Sequence, residues 1–269
     1  MGKENLNRGL AELGIFVNSL LSFLVAALLL KGIIAFVRYK VILHYSGMAA
    51  RLNFEAICVS SPFSKMWTYS AVYAIYGIGI LVALVLFIVA EVLFNVTSKL
   101  TGVLKLVFLW LSLLSLQHCF GFVFKGVILN QEFYYVLKWL HFPNILSYIV
   151  GVLSLFLFVL LIYFRYNRYL LIASSRYLIS DTFLKKRFAV INFFIVALVG
   201  YMILFSMNSF KIQPYEMIEL GILLFALLVS LFGRKTSKIM TLPSESTSRI
   251  NIVLIVLAMS FILLFHWIK

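Results

Sequence analysis

Residues 103–129 read VLKLVFLWLSLLSLQHCFGFVFKGVIL, and residues 68–94 read TYSAVYAIYGIGILVALVLFIVAEVLF. Each run exceeds the roughly 20 mostly apolar residues that an α-helix needs to cross the hydrocarbon of a bilayer. In hydrocarbon every backbone N–H and C=O must find its partner within the protein, so runs of this kind are helices. The short apolar/polar alternation of an outer-membrane barrel is absent.

Five further stretches qualify: 13–36, 144–164, 188–207, 215–232 and 250–267. The fold expected is an all-α, polytopic transmembrane bundle of about seven spans forming one domain, 1–269. Six spans plus a re-entrant segment is the alternative. The last two runs are close to the shortest that can span, and would stand nearly upright. Pro62, Pro143, Pro214 and Pro243 all fall between runs, where a missing N–H costs least. The first run is too long for the core of a cleaved signal peptide and no Ala-x-Ala follows it, so an uncleaved first span is expected.

Composition points the same way. Of 269 residues, 64% are hydrophobic and 12% charged, against about 45–50% and 25% in soluble domains. Mean hydropathy is +1.07. Lys and Arg number 23 against 9 acids, a formal +14. In a chain this apolar the excess belongs to loops at anionic headgroups, not to nucleic-acid binding. With the N-terminus and the 95–105, 165–187 and 233–249 loops on one side, that side takes 14 of the 23 cations. This places the N-terminus in the cytoplasm. Long Leu, Phe and Ile runs with scattered Lys suggest a bacterial inner membrane.

Two connections exceed a turn. In 37–67, Val41, Tyr45, Met48 and Leu52 recur at helical spacing with Arg38, Arg51 and Glu55 around them. In 166–187, Leu170, Ala173 and Tyr177 take one side, with charges on the other. Both suit amphipathic helices in the headgroup plane. Arg165, Arg168, Arg176, Lys185, Lys186 and Arg187 form a basic collar for lipid headgroups or an acidic partner. Trp67, Tyr69, Trp139 and Trp267 fall at span ends, where amphipathic rings favour the interface. Trp110 lies inside a span and is expected to pack between helices. Ser70, Ala74 and Gly77 make a small-residue stripe suited to close helix contact, within the chain or with a partner.

Several chemistries lack their residues. Asp181 is the sole aspartate, so no intramembrane Asp pair exists. His44, His118, His141 and His266 form no H-E-x-x-H, and only His118 lies at mid-membrane depth. The last span holds no Schiff-base lysine, and phosphate-binding glycine fingerprints are missing. Cys58 and Cys119 stand alone. Asn95-Val96-Thr97 matches a glycosylation sequon on the predicted inner side. No cofactor or metal is implied.

What remains is sparse polarity inside the spans: Lys31, Glu91, Gln117, His118 and Lys125. Such residues are costly in hydrocarbon and each asks for a role. Lys31 and Lys125 approach one surface and are expected to snorkel, with Glu132 in reach of Lys125. Glu91 approaches the other surface, with Lys99 and Lys105 as its nearer partners. Gln117 and His118 sit near mid-span and are expected either to bond between helices or to line a proton or substrate path. Glu216 and Glu219 open a span and favour its dipole. The function expected first is a non-enzymatic subunit or scaffold of a larger membrane complex, with lipids and other membrane subunits as partners. Second comes a transporter or channel-like carrier with a midplane site at Gln117 and His118. Third is an interfacial enzyme on a lipid-linked substrate, the basic collar holding phosphate.

Overall fold

A computed structural model describes residues 2–45, 67–97, 103–170, 173, 180–207, 214–232 and 249–267. The protein is an all-α bundle, with no strand among the described residues. The helices are α1 (Gly2–His44), α2 (Tyr69–Thr97), α3 (Leu104–Leu129), the short α4 (Phe133–Trp139) and α5 (Asn144–Leu170). Then α6 (Thr182–Ala189) runs through a π-helical segment, Val190–Ile195, into α7 (Val196–Met207). Helices α8 (Pro214–Leu231) and α9 (Ile252–Trp267) complete the chain. Six of the described helical stretches are long and apolar enough to cross a membrane. The 16 residues of α9 rise only about 24 Å at 1.5 Å per residue, short of a ~30 Å hydrocarbon core.

Helix α3 is the axis. It is buried along most of its length and packs against α1, α2, α5 and α8. Helix α7 fits between α1 and α8, and α9 lies on α1. Helices α1 and α3 run parallel: Ser19 meets Trp110 near one end and Arg38 meets Glu132 near the other. We call the side on which α1 begins the N side and the opposite one the C side. The outward faces of α2 and α5 stay apolar and exposed, as at Leu81, Val85, Ile88, Val92, Val152 and Phe156. An apolar surface of this kind suits lipid.

Element boundaries differ from the sequence reading in three places. Helix α1 continues eight residues past Phe36, so 37–44 belong to it and not to a separate interfacial helix; 46–66, with Met48 and Leu52, lie outside the described residues. Helix α5 carries Arg165 and Arg168 in its final turns, because its apolar face persists through buried Tyr166 and Leu170. On the other side of that connection Asp181 caps α6, accepting a hydrogen bond from Leu184 N at 2.8 Å. Lys185, Lys186 and Arg187 are thus the opening turns of the next membrane helix. Arg176 lies outside the described residues.

Within the chain, α2 does not pack through the Ser70, Ala74 and Gly77 stripe, and that stripe is left open to a partner. Ser70 is exposed and a Cβ on Gly77 would meet nothing within 4 Å. Burial runs instead along Ala71, Ile75, Gly79, Ala83 and Ala90. At Gly79 a Cβ would stand 2.6 Å from Arg38 Nη2, so the glycine is what admits that guanidinium.

Trp110 packs between helices as expected. It is fully buried, edge-on to Phe23 at 5.0 Å and tilted on Phe193 at 5.4 Å. Its Nε1 donates to Ser19 Oγ at 2.9 Å, and Ser19 donates in turn to the carbonyl of Asn192 at 2.8 Å. Asn192 lies in the π segment, whose wider turn releases a carbonyl from the regular helical ladder. The serine of α1 satisfies it.

Candidate functional site

The C-side half of the bundle holds a cluster of ionisable side chains built by α1, α3, α8 and the turn before α4. Helix α1 contributes Lys31 and Arg38, seven residues apart and so on one face; α3 contributes His118 and Lys125 at the same spacing. Lys125 Nζ sits 2.5 Å from Glu219 Oε1 and 3.9 Å from Glu132 Oε2. Arg38 Nη1 lies 3.5 Å from Glu132 Oε1, and Lys31 Nζ 3.9 Å from Glu216 Oε1. Phe122 stands among them, with the Arg38 guanidinium 4.8 Å, the Lys125 ammonium 5.4 Å and the His118 ring 5.3 Å from its centroid. The negative face of the ring suits the two cations.

Local sequence explains the placement. Pro214 opens α8, so Glu216 and Glu219 fall in its first turns, where the helix dipole favours negative charge. Helix α3 closes on Asn130, which is left-handed at φ 53°, while Gln131 N donates to Gly126 O at 2.9 Å. This closure turns the chain sharply enough to bring Glu132 back over Lys125. Glu132 itself holds φ 48°, ψ −105°, a backbone state that costs a side-chain-bearing residue on the order of 1–3 kcal/mol.

Beneath the ion pairs lies a cavity of about 40 Å³, lined in part by Ala27, Lys31, Gln117, His118, Tyr201 and Glu219. A water needs roughly 10–15 Å³ on this measure, so the space suits two or three waters and no organic solute. Gln117 Nε2 donates to Tyr201 Oη at 2.9 Å and to the Glu219 backbone carbonyl at 2.7 Å. Its Oε1, His118 Nε2, and Nε and Nη2 of Arg38 are buried without a hydrogen bond to the protein. Buried polar atoms are paired in nearly all cases, so a group of unpaired ones calls for a reason.

The structure brings Gln117, His118, Lys31 and Lys125 into one site and keeps Glu91 out of it. Lys125 does not snorkel: it is 6% exposed, because carboxylates of α8 and the α3–α4 turn reach it inside the bundle. Arg38, read from the sequence as a polar position of the 37–67 connection, and Tyr201, which the sequence did not single out, belong to the same constellation; the seven-residue interval from Lys31 to Arg38 was the available signal.

Glu91 forms a second cluster, on the N side. Arg165 and Arg168 of α5 both pair with its carboxylate, and Ser112 Oγ donates to it at 2.7 Å. Lys99, one of its expected partners, lies outside the described residues. Arg187 pairs with Glu12 at 2.8 Å, and Lys186 Nζ rests 5.8 Å over the Phe232 ring. Three cations of the expected collar are therefore engaged by carboxylates, which lowers the positive charge left for a phosphate. Among the described residues no group of three or more His, Cys, Asp or Glu is placed to hold a metal ion.

No family model matches the chain, and the comparisons with curated proteins and with solved structures find no similar protein.

Proposed function

We propose that the protein is a membrane carrier for a small charged species, with its site at Lys31, Gln117, His118, Lys125, Glu132, Glu216 and Glu219. Sequence alone ranks this reading second; the C-side cluster raises it. The observation that carries it is the pairing of three cations with three carboxylates over a water-sized cavity that holds an unpaired imidazole nitrogen. Ionisable groups in a membrane interior mark ion and proton paths by default. The two carboxylates within reach of Lys125 offer it two positions, a useful property in a gate. The cation tally supports a cytoplasmic N side, with anionic headgroups at that surface.

The test is flux into vesicles containing the purified chain. Gln117→Leu/His118→Leu should lower it to the level of empty vesicles while leaving helical circular dichroism and the detergent elution profile unchanged. Undiminished flux in that double variant removes the reading.

A subunit or scaffold role is the second reading, favoured by the charge balance of the cluster. Ion pairs that neutralise one another can specify how four chain segments dock without moving anything. Co-elution of a stoichiometric membrane partner in mild detergent, together with an absence of flux, would favour it over the carrier.

A further inference from the structure

Charge is not balanced in the same way at every ion-pair cluster. On the C side Lys31, Arg38 and Lys125 meet Glu132, Glu216 and Glu219, and on the N side Arg187 meets Glu12. Both sets are even. At Glu91 two guanidiniums, of Arg165 and Arg168, share one carboxylate, and a surplus positive charge remains. Ser112 does not offset it: its hydroxyl donates to Glu91 Oε1 at 2.7 Å and accepts from Arg165 Nη1 at 2.9 Å. Arg165 is largely buried, its guanidinium 4.8 Å from the centroid of the Phe87 ring. Arg168 is the accessible member, 38% exposed, and its hydrogen bond among the described residues runs from Nη1 to Glu91. A guanidinium carries five N–H donors. Arg168 thus keeps donors, and the cluster its charge, at the surface of the bundle.

Depth and surroundings say what could use that charge. Counted from Tyr69 and Asn144, the C-side starts of α2 and α5, Glu91 and Arg165 both lie roughly 30 Å along their helices at 1.5 Å per residue. That is about the thickness of the hydrocarbon, so the cluster stands at its N-side edge, where lipid phosphates begin. Phe164, Leu160 and Leu157 precede Arg168 by four, eight and eleven residues and share its side of α5; all three are exposed. Ile88, Leu84 and Leu81 precede Glu91 by three, seven and ten residues on α2, and they too are exposed. A positive charge at the hydrocarbon edge with bare apolar stripes below it complements a molecule with an anionic head and a long apolar tail.

We infer that the protein holds an anionic phospholipid at the N-side ends of α2 and α5, its phosphate on Arg168 and an acyl chain along the stripe of Phe164, Leu160 and Leu157. Glu91 and Arg165 position the Arg168 guanidinium, whose planar fork matches phosphate oxygens. A zwitterionic lipid brings its own cation and leaves the surplus charge in place; a lipid with a net negative head cancels it. Free phosphate would cancel it too but would leave the apolar stripes unused. This site lies at the opposite end of the bundle from the C-side cluster, and it goes beyond the carrier reading without resting on it.

The experiment uses the full chain, purified in non-ionic detergent, stripped of lipid and mixed with equal amounts of dioleoylphosphatidylglycerol and dioleoylphosphatidylcholine. Native mass spectrometry reads which lipid stays bound. Retention of phosphatidylglycerol over phosphatidylcholine is expected. Arg168→Gln should bring the two lipids to equal retention, while Lys40→Gln, which removes an exposed C-side cation, should leave the preference intact. Phe164→Glu supplies the missing carboxylate one turn before Arg168 at an exposed position, and should also abolish the preference. Circular dichroism and detergent elution identify a variant that has unfolded; should Arg168→Gln do so, Phe164→Glu decides. Equal retention of the two lipids by the parent chain overturns the inference, as does a preference that survives both substitutions. A preference lost equally in Lys40→Gln overturns it by showing a response to overall charge. Displacement of phosphatidylglycerol by equimolar inorganic phosphate overturns it in favour of a soluble anion. Flux plays no part in this readout, so none of these results bears on the carrier reading.

Discussion

Lys125 and Glu132 show how much one residue's setting can differ from its expected one. Lys125 stands four residues from the end of α3, a position from which its stem could reach the interface. It stays inside because Glu219 and Glu132 bring carboxylates to it. Removing one partner of a buried ion pair strands the other and costs about 3–5 kcal/mol. Lys125→Leu should therefore destabilise the protein by several kcal/mol in denaturant titrations in detergent. Adding Glu219→Leu should recover most of that loss, and a double variant no more stable than the single one would refute the pairing. At Glu132 the positive φ predicts that Glu132→Gly is more stable than Glu132→Ala by about 1–2 kcal/mol, since both lose the carboxylate but only alanine keeps the backbone cost. Equal stability would mean that the turn relaxes freely.

Among the helices, α1 and α7 are in close contact where Gly200 faces Phe23: a Cβ at Gly200 would collide with that ring. Packing, not hydrophobicity, drives helix association in lipid, so such a contact weighs heavily. Gly200→Val should lower the thermal midpoint in detergent, and Phe23→Ala in the same chain should restore part of it. The Trp110–Ser19–Asn192 chain adjoins this contact and ties α3, α1 and the π segment together. Ser19→Ala would leave the indole N–H and a backbone carbonyl without that partner, at about 1–3 kcal/mol. A thermal midpoint matching the parent would show that the π segment closes on its own carbonyl.

For the whole molecule the alternation of helices makes a topological statement. Lys186 and Lys138 lie on opposite sides of the bundle. Single-cysteine variants at those positions, in a chain freed of Cys58 and Cys119, should react with a membrane-impermeant maleimide from opposite faces of sealed vesicles. Labelling of both from one face would contradict the arrangement.

Helix class, the positions of the long apolar runs and the placing of Trp67, Tyr69 and Trp139 at helix ends followed from composition and run length. The solvent imposes them segment by segment: hydrocarbon demands internal backbone pairing and excludes charge whatever the neighbouring segments do. The same local signal located Gln117 and His118, because polarity in the middle of an apolar run is conspicuous. Partnership was beyond it. That Glu91 meets Arg165 and Arg168, that Glu216 and Glu219 turn to Lys31 and Lys125 instead of serving a helix dipole alone, and that Gly79 rather than Gly77 is the close-contact glycine depend on helix rotation and register. Those are settled by side-chain packing between segments up to nearly two hundred residues apart, and no single run of sequence contains both halves of such a contact.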